Sequence, residues 1–275
     1  MDSIQTVLLG IIQGLTEFLP VSSSGHLVLF QNLFGLKEPE LLFDICLHAG
    51  TLLAVLIVFF KEISQIIITL FKIPSMAKYS GGFRPLFDLN TDVRMAVLIV
   101  IGSIPTAALG LLFREIADRL FGSTLIVGLM LIITGFVLWL TRRIIVNGRP
   151  LKKMTIKDAL VIGFIQGMAI IPGISRSGST IATALFLGVN REVAGRYSFL
   201  LSIPAIVGAL ILGFDDPGIG TSLSFGMIAA GTVASAVVGW AALKFLLSVV
   251  KKGQLYRFAP YCWIVGLVTI VAGFF

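Results

Sequence analysis

Charge is what this chain has least of. Only 13% of its 275 residues are Asp, Glu, Lys or Arg, whereas a soluble domain carries about a quarter. No stretch is long and polar enough to form a separate aqueous domain, which excludes a soluble globular protein. Cysteine is nearly absent as well. Cys46 and Cys262 both lie inside apolar runs, where Cys behaves as a small buried hydrophobe, so neither a disulfide framework nor a thiolate metal site is present. The N-terminus lacks the basic region and small-residue cleavage site of a signal peptide and is expected to belong to the mature protein.

What the chain has instead is hydrophobic length, with 57% of its residues apolar. A helix needs about 20 mostly apolar residues to cross a bilayer. The runs 44–60, 93–113, 123–140, 197–214, 224–249 and 258–275 supply six such spans. The expected fold is one all-α polytopic membrane domain over residues 1–275. The net charge of +7 gathers in three connections, Lys61 to Arg94, Arg142 to Lys157 and Lys251 to Arg257. The opposite connections are acidic or balanced: Glu38/Glu40, Arg114/Glu115/Asp118/Arg119 and Asp215/Asp216. This is the pattern of the positive-inside rule, not of a nucleic-acid partner, and it puts the basic connections in the cytoplasm and the C-terminus outside.

The chain also repeats itself. At an offset of 153, Gly10-Ile11-Ile12-Gln13-Gly14 lies over Gly163-Phe164-Ile165-Gln166-Gly167. Val21-Ser22-Ser23-Ser24-Gly25 then lies over Ile174-Ser175-Arg176-Ser177-Gly178. Each copy is broken by proline, at Leu19-Pro20 and Pro172-Gly173, where a continuous helix loses a backbone donor. Broken backbone at membrane depth survives only inside protein or beside a watery cavity, so each copy reads as a re-entrant helix–loop–helix. Three spans separate the copies, an odd number, so the second enters from the opposite side. The expected architecture is two inverted-topology repeats, about 1–150 and 151–275, each a re-entrant hairpin plus three transmembrane helices. Their loops should face one another near the midplane, where a site is expected.

The first loop carries Gln13, Glu17, Ser22, Ser23, Ser24, Gly25 and His26, with Gln13 and Glu17 on one helical face. The second carries Ser175, Arg176, Ser177, Gly178, Ser179 and Thr180 ahead of a new helix. Together they suit a phosphate ester. Arg matches phosphate oxygens with a planar fork, and a helix N-terminus offers free N–H groups to an anion. Ser or His can attack, and His or Glu can take a proton. A carboxylate beside a diphosphate commonly holds a divalent cation. Helix packing fits Ser22, Ser24 and Ser177 as well as substrate binding does. Glu17 and Arg176 each cost about 2.5–3.5 kcal/mol to insert, which marks them as functional by default, with a structural ion pair as the alternative. His48, one turn after Asp44, fits capping or packing equally well. The rival reading is a secondary transporter or lipid flippase with a midplane anion site, which would need no His26 beside Ser23. A type-2 phosphatidic acid phosphatase also uses Ser-Gly-His, but it needs a further histidine on a later helix, and here the only histidines are His26 and His48.

The run from Gln13 to His26, the run from Pro172 to Gly178 and the stretch 43–54 resemble the undecaprenyl-diphosphatases, bacitracin-resistance membrane phosphatases of the bacterial inner membrane. The resemblance spans the whole chain. It implies removal of the terminal phosphate from a polyprenyl diphosphate, giving the monophosphate carrier used in cell-wall synthesis, with a divalent cation (Mg²⁺ or Ca²⁺). It assigns catalysis to Glu17, Ser23, His26 and Arg176, and the cation to Gln13 and Glu17. Ser22, Ser24, Gly25, Ser175, Ser177, Gly178 and Thr180 become substrate contacts. The family's acidic motif is Glu or Gln four residues before Glu, and this chain has the Gln form. A homodimer in the inner (plasma) membrane, open to the outer face, is further implied. The expected chemistry is attack by Ser23 with His26 as base, with attack by His26 or by an activated water as alternatives.

Overall fold

The computed structural model describes residues 1–34, 41–79, 81–113, 120, 123–144, 148–214, 221 and 223–273, and only the backbone of 32 and 33. Glu38, Glu40, Arg114, Glu115, Asp118, Arg119, Asp215 and Asp216, expected in the acidic or balanced connections, lie outside the described residues.

Helix α1 (Ser3–Phe18) opens on a capping box. Asp2 accepts the Gln5 amide at 2.7 Å, and the Gln5 side chain accepts the Asp2 amide at 2.9 Å, so two otherwise orphaned donors are satisfied. Pro20 ends α1, and α2 (Ser23–Leu33) follows. Helix α3 (Leu41–Val58) runs through Phe59 into α4 (Phe60–Tyr79), then come α5 (Phe83–Leu89), α6 (Thr91–Phe113) and α7 (Thr124–Leu140). The second half repeats the opening. Helix α8 (Ile156–Met168) starts on a Thr155–Asp158 capping box, in register with Asp2–Gln5 at the offset of 153, and α9 (Arg176–Phe186) follows the break. Helices α10 (Arg191–Phe214), α11 (Phe225–Lys251) and α12 (Ala259–Ala272) complete the chain. Among the described residues there is no strand, only a single bridge between Arg149 and Val189.

Six segments are long and apolar enough to cross a membrane: Leu41–Val58, Thr91–Phe113, Thr124–Arg143, Arg191–Phe214, Phe225–Lys251 and Leu255–Ala272. They coincide with the six apolar runs of the sequence. Helix α10 starts six residues before the run at 197 because Asn190 caps it, accepting the Val193 amide at 2.8 Å. The basic stretch from Lys61 to Arg94, expected as a connection, contains α4 and α5. Lys61, Glu62, Gln65 and Lys72 interrupt its apolar residues, so α4 is an amphipathic helix with no buried residue.

Small residues set the packing. Gly10 and Gly14 of α1 lie on Gly231, Ser235 and Gly239 of α11, and a Cβ on Gly14 would stand 2.7 Å from the Ser235 carbonyl oxygen. Helix α8 packs along α6 with Gly163 against Gly102, and the Thr106 hydroxyl donates to the Gly163 carbonyl at 2.8 Å. Between apolar helices in lipid, such close backbone approach supplies much of the attraction. Helix α7 packs on α12, α3 on α10 and α11, and α6 on α10. Each broken hairpin thus leans on a span from the other half of the chain. Leu112, Val233 and Ile264 are more than half exposed on the outer faces, as lipid-facing residues are.

The three basic connections meet at one end of the bundle. Arg94 donates to the Met154 carbonyl at 2.8 Å and pairs with Asp88. Arg191 donates to the Ile144 carbonyl at 3.0 Å, and the turn Thr141–Arg143 touches the turn Leu255–Phe258.

Candidate active site

The two proline breaks bring their loops together. After Pro20 the chain turns sharply, with the Val21 amide bonded to the Leu19 carbonyl, and Ser22 takes a left-handed φ of 68°. That conformation is rare outside glycine. It aims the Ser22 hydroxyl at the second loop, where it accepts the Gly173 amide at 3.1 Å. Gly173 itself has φ of 94°, a value that suits glycine. Its carbonyl accepts the Thr134 hydroxyl of α7 at 3.0 Å, and that hydroxyl accepts the Ser175 amide at 3.2 Å. Gly25 and Gly178 complete the seam. A Cβ on Gly178 would stand 2.9 Å from Pro20, and one on Gly25 would stand 3.5 Å from Gly173.

At the centre of this seam stands Glu17, 8% exposed. One carboxylate oxygen accepts the Ser23 hydroxyl at 2.7 Å and the Gln13 amide at 3.1 Å, and the other accepts Arg176 Nη2. Nε2 of His48, whose side chain is about one-third exposed, lies 3.9 Å from the carboxylate. The sequence explains this convergence. Gln13 and Glu17 are one turn apart on α1, Ser23 opens α2, and Arg176 opens α9. Two polar atoms in the cluster are buried and have no partner among the described residues, Arg176 Nη1 and Gln13 Oε1. Half of the guanidinium fork is therefore free, beside a helix N-terminus whose first amides have no helical carbonyl to bond.

The remaining predicted residues separate into two groups. Ser175 caps α9, accepting the Gly178 amide at 3.1 Å, and contacts the Ser177 hydroxyl at 3.3 Å. Ser22 and Ser24 hydroxyls lie 3.3 Å apart. These serines line the seam. The Thr180 hydroxyl instead bonds back to the Arg176 carbonyl at 2.8 Å and to Ser198 of α10, so it points into the packing. His26 is on neither Ser23 nor Glu17. Its Nδ1 lies 2.8 Å from the Ser22 carbonyl oxygen and its Nε2 lies 2.7 Å from the Tyr261 hydroxyl of α12. The expected Ser23–His26 pairing gives way to Ser23–Glu17, because the first turn of α2 places Ser23 facing α1 while the ring of His26 folds back on its own loop. Sequence reasoning missed Tyr261 and Thr134. Each is a lone polar residue within an apolar span, and only tertiary contact gives it a partner.

Among the described residues no three His, Cys, Asp or Glu side chains form a metal cluster. The donors at hand are oxygens, the carboxylate of Glu17 and the orphaned Oε1 of Gln13. Such a set fits a hard divalent cation that keeps waters and takes further oxygens from a phosphate ligand.

Comparison with known proteins gives a family match over residues 6–268, to the model described as bacitracin resistance protein BacA. The chain is 56% identical over 275 residues to an undecaprenyl-diphosphatase of Desulfatibacillum aliphaticivorans, covering 100% of both chains. It is 52% identical to the undecaprenyl-diphosphatase of Desulforapulum autotrophicum, over 100% of this chain and 99% of that one. It is 42% identical to that of Methanosphaera stadtmanae, over 98% of each.

Proposed function

The chain belongs to the bacitracin resistance protein BacA family, and from that membership we infer that it is a multi-pass membrane phosphatase that hydrolyses undecaprenyl diphosphate. The products are the lipid monophosphate and inorganic phosphate. The observation that carries the reading onto particular atoms is the half-occupied guanidinium of Arg176. Nη2 is held by Glu17 while Nη1 has no partner among the described residues, next to a serine hydroxyl already donating to the same carboxylate.

The steps follow from those contacts. Arg176 Nη1 and the first amides of α9 bind oxygens of the terminal phosphate and neutralise charge spread over them during transfer. Ser23 Oγ attacks the terminal phosphorus as its proton passes to Glu17. The phosphorus–oxygen bond to the lipid monophosphate breaks, and its electrons leave with that product. Water then attacks the phosphoserine, releasing inorganic phosphate and restoring the Ser23 hydroxyl. Ser22, Ser24, Gly25, Ser175, Ser177 and Gly178 hold the two loops at the distance this needs, and Thr180 steadies the first turn of α9. Gln13 and Glu17 would hold a Mg²⁺ or Ca²⁺ ion, which when bound supplies further positive charge to the phosphate oxygens.

The finer architecture belongs to the same proposal. The reciprocal packing of α1 on α11 and of α8 on α6, with matching capping boxes and breaks, supports two inverted repeats within one membrane domain. The gathered basic connections support a cytoplasmic orientation of that end of the bundle. His48, the partly exposed side chain nearest Glu17, lies in the half of α3 remote from Lys61, which supports a site open to the outer face of the inner membrane. A homodimer is tested by light scattering of the detergent-solubilised protein. The function is tested by phosphate release from a polyprenyl diphosphate with Mg²⁺ or Ca²⁺ and with EDTA. Cation-dependent release is expected, and a folded wild type releasing nothing would remove the reading.

A further inference from the structure

We infer that Tyr261 is the positioning residue of His26, a deduction that rests on the phosphatase reading for its role and on geometry for its existence. A carbonyl oxygen can only accept, so the 2.8 Å contact with the Ser22 carbonyl fixes the proton of the neutral ring on Nδ1. Nε2 then carries the lone pair. Among the described residues, the polar group within hydrogen-bond reach of it is the Tyr261 hydroxyl at 2.7 Å, which donates. The two rings lie within 6° of parallel with centroids 5.7 Å apart, so they meet edge to edge through this bond. With His26 only 3% exposed, the ring has no room to swing into another arrangement.

Tyr261 lies in the first turn of α12, next to the basic turn Leu255–Phe258, a level where tyrosine is common at a membrane interface. Its ring is 45% exposed on the outer side of α12, in company with Ile264, Leu267 and Val268. Its hydroxyl is turned inward to the histidine and not outward to the headgroups. A second contact fixes its register. The buried Cys262, the next residue, reaches the Pro20 carbonyl with its sulfur at 3.5 Å and ties this turn of α12 to the broken loop. The Ser22 carbonyl therefore sets the tautomer of His26, and Tyr261 sets its direction. It keeps Nε2 turned towards the boundary between the loop and lipid, away from the Ser23–Glu17 pair.

Because the chain has two histidines, ¹⁵N-histidine labelling of the full-length protein in detergent gives two ring spin systems, and His48→Gln identifies which is which. Wild-type His26 is expected in the Nδ1–H tautomer. Tyr261→Phe should shift its Nε2 resonance, with the Nδ1–H tautomer kept by the Ser22 carbonyl, while leaving His48 in place. The same variant should lower kcat at nearly unchanged KM, by no more than His26→Ala does. In a His26→Ala background the substitution should cost nothing further. Unchanged His26 resonances in Tyr261→Phe, an unchanged kcat, or an additive loss in the double variant would each overturn the inference. A wild type without phosphatase activity whose His26 resonances still respond to Tyr261→Phe would leave the positioning intact and defeat the phosphatase reading instead.

Discussion

The two broken loops open their second helices in register, at Ser23 and Arg176, and divide the chemistry. At the offset of 153, Ser22 corresponds to Ser175, Ser24 to Ser177 and Gly25 to Gly178, and in both loops these small residues form turns, caps and the seam. The ionisable positions differ. Glu17 corresponds to Ile170, which lies beside Gly110 of α6, Ser23 corresponds to Arg176, and His26 to Ser179. One loop supplies the carboxylate, the hydroxyl and the imidazole, while the other supplies the guanidinium and the helix N-terminus. Two identical loops would have set like charges against each other at close range. With the three positions unlike, Glu17 meets a guanidinium in place of a second carboxylate.

Substitutions at the unlike positions should have the largest effects. Glu17→Ala and Arg176→Ala should each reduce phosphate release by about 10²–10⁴-fold, because each removes a group acting directly on the transferred phosphoryl. Arg176→Lys keeps the charge but loses the fork, and should recover only part of the loss, remaining roughly 10–100-fold below wild type in the same assay. Equal activity of the Lys variant would show that charge alone matters in the second loop.

Residues of the seam outside the ion pair should separate by backbone and not by chemistry. Gly173→Ala forces a side chain into a left-handed conformation, about 1–2 kcal/mol unfavourable by itself, and its Cβ would also run into the Val127 carbonyl. Its melting temperature in detergent should fall clearly. Gly25→Ala places a Cβ 3.2 Å from a flexible Val127 methyl within a helix, and should change the melting temperature little. Thr180→Val removes bonds to Arg176 and Ser198 and should cost about 1 kcal/mol of stability, with phosphate release within a few-fold of wild type.

The capping boxes give the smallest contrast. Asp2 is open to water, whereas Asp158 is 5% exposed and is held by Arg149 at 2.9 Å and by the Thr155 amide at 2.7 Å. Burial pushes the Asp158 carboxyl up, but the Arg149 and Thr155 hydrogen bonds outweigh it and hold it below the usual carboxylate range. A lowered carboxyl stabilises the fold above its unfolded value, near pH 4, and loses that contribution as pH falls through its folded value. Acid melting of Asp158→Asn should therefore lack part of the decline seen below pH 4 in wild type, and Asp2→Asn should not.

Much of this was legible beforehand for a physical reason. Crossing a bilayer demands long apolar runs, so the six spans appear in composition alone, and proline marks both breaks without any knowledge of packing. Glu17 and Arg176 stood out because charge is costly in such a setting. The pairings were less legible. Ser23 and His26 are neighbours in sequence yet face different partners, since the direction of a side chain at a helix start depends on what packs there. Tyr261 lies 235 residues from its histidine, and no local pattern anticipates it. Helices α4 and α5 were hidden because their basic residues read as a loop when judged by charge alone.

The glycine seam between α1 and α11 also has a consequence for biosynthesis. Gly10 and Gly14 leave the ribosome well before Gly231, Ser235 and Gly239, which receive them. The first hairpin must wait in the membrane, with its polar Gln13 and Glu17, until α11 has been inserted. The interval before α11 arrives is when this protein is most exposed to misassembly and to quality-control proteases.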